Sequence, residues 1–273
     1  MRVLCPTNRY RATITLVHRW INHMRKPIRG QSEDINSGGA MEISAWRKEY
    51  KNMAHPYLLE AELPTKEPHK LFDFWFREVA SLKDALYEEV NAVCVSTVSE
   101  KNRPSSRMVL LKGYNTEGFS FYTNYDSRKG QQLSANPNAS MLFYWPRLHR
   151  QVRVEGVVER LPASNAEEYW ATRPVASRIG GAASRQSSVI PSREYLENKR
   201  AELEKEAETN GAEAITKPQS WGGYILRPSY YEFWQGQSDR LHDRIIFSKE
   251  APEESEDMVT KTESGYFMYR LAP

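Results

Sequence analysis

Cysteine is scarce in this chain: 273 residues hold only Cys5 and Cys94, far apart and outside any metal-ligand spacing. That count excludes a disulfide framework and a cysteine-built zinc site, and it fits a reducing compartment. There is no uninterrupted apolar run of the ~20 residues that span a bilayer, so no membrane segment is expected. No Gly-x-Gly-x-x-Gly, P-loop, nucleophile elbow or zinc-binding helix motif is present, which argues against a Rossmann domain and against those families of site. Acidic residues are missing from the start of the chain. Residues 1–32 carry seven of the 38 Lys and Arg and none of the 35 Asp and Glu, leaving the remainder slightly acidic, at about −4. A nucleic-acid binder carries its basic excess on the folded domain, so that class is disfavoured.

The Arg-rich tail reads either as a mitochondrial presequence or as an extension without an address. Arg9, Arg11 and Arg19 interrupt what would be the apolar centre of a secretory signal. Residues 27–40 read as a linker, so a terminal extension over 1–40 and a single folded domain over 41–273 are expected. In 68–89, Leu71, Phe72, Trp75, Phe76, Val79 and Leu82 recur at helical spacing. Short strand-like runs follow at 91–98, 106–114, 118–123, 139–145 and 151–161, with a hairpin turn at Asn115–Gly118 and a short capped helix at 127–135. Helices are predicted at 163–173 and 192–208, and strands at 221–227, 230–235, 244–247 and 266–270. Many antiparallel strands with inserted helices imply an α+β fold, mainly β, with a barrel-like core.

Four clusters gather cations, amides and aromatics. In 105–113, Arg107 and Lys112 are five apart and would point to opposite faces of one strand. They are either strand-end surface charges or partners of anions, because a cation on an apolar strand is costly alone. Arg128 and Lys129 follow a turn at a helix start, where they suit a phosphate or form a solvated pair. Residues 177–188, rich in Gly, Ser and Arg, read as a flexible loop or an anion cradle. In 232–244, Trp234 offers a flat face, and Arg240, His242 and Arg244 alternate. Three such cations share an anionic ligand, or else Asp239 and Asp243 neutralise them. His149, beside Pro146 and Arg147, is placed in a turn.

Together these segments resemble the pyridoxine (pyridoxamine) 5′-phosphate oxidase family. The motifs are Arg-Met-Val-Leu-Leu-Lys-Gly (107–113), Ser-Arg-Lys-Gly (127–130), Arg-Gln-Val-Arg-Val-Glu-Gly (150–156), Gln-Ser-Ser-Val-Ile-Pro (186–191), Ser-Trp-Gly-Gly-Tyr (220–224), Phe-Trp-Gln-Gly-Gln (233–237) and Arg-Leu-His-Asp-Arg (240–244). The resemblance runs from about Arg47 to the C-terminus and leaves residues 1–40 outside it.

It implies an FMN-binding split β-barrel and a homodimer with FMN at the interface. By resemblance, FMN is held by Arg107, Met108, Val109, Leu110, Tyr122, Thr123, Arg128, Lys129, Gln151, Gln186, Ser187, Trp234 and Arg244. The substrate phosphate is assigned to Lys112, Tyr169, Arg173 and Ser177, and the ring and reacting side to Arg240, Leu241 and His242, with Arg240 and His242 catalytic. Arg47 and Tyr50 lie in a segment resembling the one that folds over substrate. The implied activity is oxidation of pyridoxine 5′-phosphate and pyridoxamine 5′-phosphate by O2 to pyridoxal 5′-phosphate, with release of H2O2. The family implies a cytoplasmic location, with the Arg-rich tail leaving a mitochondrial one open. A non-catalytic FMN- or vitamer-binding protein on the same barrel is the alternative. It would have no use for a second phosphate site.

Overall fold

The computed structural model describes residue 50 and residues 57–82, 89–253 and 256–273. The expectations for the tail, for the linker, for Arg47 and for residues 83–88 of the first helix lie outside the described residues. Among those described, the first helix, α1 (Pro68–Ala80), starts with proline at its first turn, where the missing N–H costs nothing. It buries Leu71, Phe72, Trp75 and Val79 along one stripe, each worth roughly 1.5–3 kcal/mol relative to exposure. The Phe72 ring meets Phe119 at 4.8 Å and Phe143 at 5.0 Å, which fastens the helix to the sheet.

The sheet has ten strands, all paired antiparallel: β1 (Ala92–Val98), β2 (Pro104–Leu110), β3 (Gly113–Asn115), β4 (Gly118–Asn124), β5 (Asn138–Trp145), β6 (Arg150–Arg160), β7 (Trp221–Gln235), β8 (Asp243–Ser248), β9 (Thr260–Lys261) and β10 (Phe267–Arg270). The order runs β2-β1-β5-β6-β7-β8-β10-β9, with β4 also pairing β7 and β3 pairing β4. β6 shows the alternation its sequence carries: Val152, Val154 and Val158 are buried on the core face.

β7 is the hinge of the topology. Residues 221–226 pair with β4, and residues 230–235 pair with β8, while β6 runs alongside from Tyr224 to Gln235. Two strands, 221–227 and 230–235, were the expectation. One bent strand is what forms, because Pro228 sits at a bulge opposite Gly156 where the register shifts. A Cβ on Gly156 would come within 1.9 Å of the Arg227 carbonyl oxygen, so only glycine permits that approach.

Three more helices build a cap, α3 (Ala163–Thr172), α4 (Val175–Ala183) and α5 (Arg193–Asn210), while α2 (Arg128–Ala135) lies between β4 and β5. Ala166, Trp170, Ile179, Ile215 and Trp221 form a second, smaller core beneath the cap. α4 takes up residues 177–183 of the expected loop, with Pro174 starting it and its glycines within it, while 184–188 stays irregular. No described helix is long and apolar enough to cross a membrane.

Candidate active site

The predicted strand 106–114 breaks between Leu110 and Gly113. That break overturns the expectation that Arg107 and Lys112 point to opposite faces, because both line one cavity of about 770 Å³. The same cavity takes in Met108, Val109, Leu110, Tyr122, Thr123, Arg128, Lys129, Tyr169, Arg173, Ser177, Gln186 and Ser187. Five cations line it and no carboxylate does.

The cations fall into two groups. In the first, Ser127 caps α2 by accepting a hydrogen bond from the Gly130 N–H, which sets Arg128 and Lys129 at the helix start. The buried Lys129 ammonium donates to Thr123 Oγ1 at 2.9 Å and to Gln186 Oε1 at 2.8 Å. Burial, together with the nearby Arg107, pulls its pKa down to about 8. Arg107 donates to Thr97 Oγ1 at 2.7 Å, to Ser105 Oγ at 2.9 Å and to the Val95 carbonyl at 3.1 Å. Burial, and then Arg128, lower its pKa as well. Neutral oxygens orient these cations without cancelling their charge, so an anion at this helix N-terminus gains both the charges and the dipole.

In the second group the Arg173 guanidinium lies 4.9 Å from the Trp221 ring and 5.1 Å from Trp170. Its Nη2 donates to the Ser177 carbonyl at 3.0 Å, while its buried Nη1 has no hydrogen-bond partner. Burial lowers its pKa. The Lys112 ammonium stands 5.8 Å from the Tyr169 ring. Tyr169 and Arg173 were expected on one helical face. In fact α3 ends at Thr172 and Arg173 is extended, yet both reach the cavity.

Tyr122 joins the groups, with its ring 4.3 Å from Tyr169 and 5.4 Å from Trp221. Trp221, Gln132 and Glu232 were not singled out from the sequence. The motif around Trp221 held a clue, because a Cβ on Gly222 would fall 2.0 Å from the Tyr125 hydroxyl. Glycine there lets β7 pack tightly at the cavity wall.

The remaining candidates do not line this cavity. Gln151, Trp234 and Arg244 sit opposite one another on β6, β7 and β8, forming one cross-strand row. Arg240 is exposed in the turn before β8, with a left-handed φ of 73°, an uncommon conformation for a non-glycine residue. The His242 Nδ1 accepts the Gln237 N–H at 2.9 Å, so the neutral ring carries its proton on Nε2. Leu241 and His242 line a second cavity of about 1040 Å³ with the C-terminal residues.

Of the three alternating cations, Arg244 has a carboxylate partner within the chain. Arg244 donates to Glu232 at 2.7 Å, and this bond raises its pKa. Asp239 and Asp243 do not neutralise it: Asp243 accepts from Arg270 at 2.6 Å and from the Leu58 N–H at 3.0 Å.

Residues 81–205 match the family described as pyridoxamine 5′-phosphate oxidase, and residues 221–273 match the pyridoxine 5′-phosphate oxidase C-terminal dimerisation region. A Bos taurus pyridoxine-5′-phosphate oxidase is 49% identical over 212 residues, 78% of this chain and 79% of the other. A Bombyx mori pyridoxine/pyridoxamine 5′-phosphate oxidase is 44% identical over 236 residues, 86% of this chain and 90% of the other. Among solved structures, PhzG from Burkholderia lata 383, in complex with tetrahydrophenazine-1-carboxylic acid, superposes with a TM-score of 0.67 at 28% identity, covering 80% of this chain and 98% of that one. With residues 81–205 and 221–273 both matched and relatives 44–49% identical over most of the chain, the chain belongs to the pyridoxine/pyridoxamine 5′-phosphate oxidase family.

Proposed function

We propose that this chain, through a domain spanning 41–273, oxidises pyridoxine 5′-phosphate and pyridoxamine 5′-phosphate to pyridoxal 5′-phosphate with FMN as cofactor and O2 as electron acceptor. The alcohol and O2 give the aldehyde and H2O2. The amine, O2 and water give the aldehyde, NH3 and H2O2. The observation that carries this reading is the cavity with five cations and no carboxylate, divided into two groups. A phosphate is close to a dianion, and two phosphorylated ligands need two such groups.

The donor set fits FMN. Arg107, Arg128, Lys129, Gln186 and Ser187 would hold the phosphate, while the Met108–Leu110 strand and Tyr122 and Thr123 would hold the rest of the cofactor. When bound, FMN supplies the redox chemistry by accepting a hydride from the substrate C4′ carbon. Lys112, Tyr169, Arg173 and Ser177 grip the substrate phosphate, and the unpartnered Arg173 Nη1 gains its acceptor there. The aromatic wall of Tyr122, Tyr169 and Trp221 excludes water and strengthens each charged contact.

The row of Gln151, Trp234 and Arg244, and the turn with Arg240, Leu241 and His242, complete a site across a homodimer interface, with Tyr50 beside the substrate. Arg240 holds the ring, and His242 offers Nε2 for proton exchange at the C4′ substituent. The proposed location is cytoplasmic.

The test is an aerobic assay of the purified protein with added FMN and either substrate, reading aldehyde and H2O2 together. Both products appearing in step are expected. A yellow, FMN-loaded protein inert toward both substrates would overturn the oxidase in favour of a carrier.

A further inference from the structure

Outside the cation-lined cavity, four rings gather from three separate parts of the chain. Tyr50 packs 4.7 Å from His149, 5.9 Å from His242 and 6.1 Å from Trp234, and Trp234 lies 5.0 Å from His242. Among the described residues, Tyr50 belongs to neither hydrophobic cluster. His149 ends the turn between β5 and β6. It is buried and takes a left-handed φ of 52°, which histidine tolerates better than branched residues do. Its carbonyl accepts the Gly236 N–H at 2.8 Å, tying that turn to the end of β7. A Cβ on Gly236 would stand 3.1 Å from the Tyr50 ring and 2.9 Å from Trp234, so the missing side chain makes room for both rings. On the other side, the Ser238 hydroxyl donates to the Tyr50 carbonyl. His149 and the 236–238 turn thus clasp Tyr50 between them, with His242 as its neighbour.

We propose that His149 is a positioning residue for the oxidation: its ring seats Tyr50 against His242 and Trp234, and so holds the His242 side of the site in place. The inference rests on the oxidase reading for Tyr50 and His242. It assigns to His149 a role that neither the cation groups nor the cofactor contacts require. The ring contact is an aromatic pair of the kind that contributes beyond its buried area, and the strained backbone is retained at a site where orientation matters.

The experiment compares full-length wild type, His149→Asn, His149→Gly, Tyr50→Leu and the Tyr50→Leu/His149→Asn double variant, all loaded with FMN. Both asparagine and glycine accept the left-handed backbone, so the two His149 variants remove the ring without adding strain. Each is expected to lower kcat/KM for pyridoxine 5′-phosphate by roughly two- to tenfold while FMN affinity stays within about twofold. In the Tyr50→Leu background the same change is expected to add less than about twofold, because its target is already gone. Independently of turnover, amide hydrogen exchange in the peptide containing Tyr50 is expected to speed up in both His149 variants. Additive losses, an equal loss of FMN affinity, or unchanged exchange at Tyr50 would each overturn the assignment. An inert wild type would instead overturn the oxidase reading, and the exchange measurement would still decide whether His149 seats Tyr50.

Discussion

The two large cavities of the chain treat charge in opposite ways. The one between β2, β4, α2 and α3 is lined by Arg107, Lys112, Arg128, Lys129 and Arg173 with no acid among them. The one beside the C-terminus balances Lys66 and Arg270 against Glu60, Asp239 and Asp243. The pKa directions follow: burial lowers Arg107, Lys129 and Arg173, while Arg270 is raised, chiefly by its bond to Glu60. In the second cavity the protein completes its own ion pairs and builds a frame. The first leaves desolvated cations oriented by neutral groups, an arrangement that holds charge ready for a ligand. The cation counts differ, five Lys and Arg against two, but the difference in kind lies in the carboxylates: none in the first cavity, three in the second.

The sharpest way to break this contrast is to remove one cation from each group of the open cavity. Arg107→Gln is expected to weaken FMN binding by about 2–5 kcal/mol, the usual cost of losing a buried charged contact, while apo-protein stability moves by about 1 kcal/mol or less. Arg173→Gln is expected to raise KM for the phosphorylated substrate by a similar energy and to spare FMN affinity. Fluorescence titration and steady-state kinetics check both. If the two substitutions affected FMN and substrate alike, the division into two phosphate groups would be wrong.

Much of the first cavity was legible in the sequence, because its residues arrive as short motifs on strands and helix starts. Ser127 announces the cap that places Arg128 and Lys129. The break at 111–112 was not legible, since Leu110 and Leu111 continue the strand's apolar run. Only the pairing of β3 with β4 shows where the chain turns. α4 was hidden by its glycines, which suggest a loop in isolation, and tertiary packing of Ile179 under the cap overrides that local preference. The neutralisation of Arg244 by Glu232 was also hidden. It depends on the β7–β8 pairing, and residues 12 apart give no sequence cue. The motif resemblance located the site, whereas the state of each cation within it required the fold.

On β7, Glu232 shows what an internal carboxylate does. Burial pushes its pKa up, but hydrogen bonds from Arg244 and Arg153 outweigh burial and hold it below the usual range. Glu232→Gln is expected to cost about 2 kcal/mol of folding stability at neutral pH, read by denaturant unfolding. A group with a lowered folded pKa stabilises above its unfolded value and loses that contribution as pH falls through the folded one. The gap between wild type and variant should therefore close in acid. A gap independent of pH would show that packing, and not the ion pair, was lost.

The smallest predicted effect concerns Lys129. Its pKa in the ligand-free protein lies near 8, below the usual lysine value, so its ammonium costs stability below pH 8 and that cost is relieved as pH rises. A bound phosphate favours the ammonium. FMN affinity is expected to fall above about pH 8, by up to roughly tenfold per pH unit. Lys129→Arg, which keeps its charge, should flatten that profile. An identical profile in the variant would assign the pH dependence elsewhere.

The most direct test of the central claim is to titrate the ligand-free protein with FMN and, separately, with riboflavin, which is the same ring system without the phosphate. Cations left without carboxylates to hold a phosphate predict that riboflavin binds at least about a thousandfold more weakly, the equivalent of roughly 4 kcal/mol. Equal affinities for the two flavins would contradict the account.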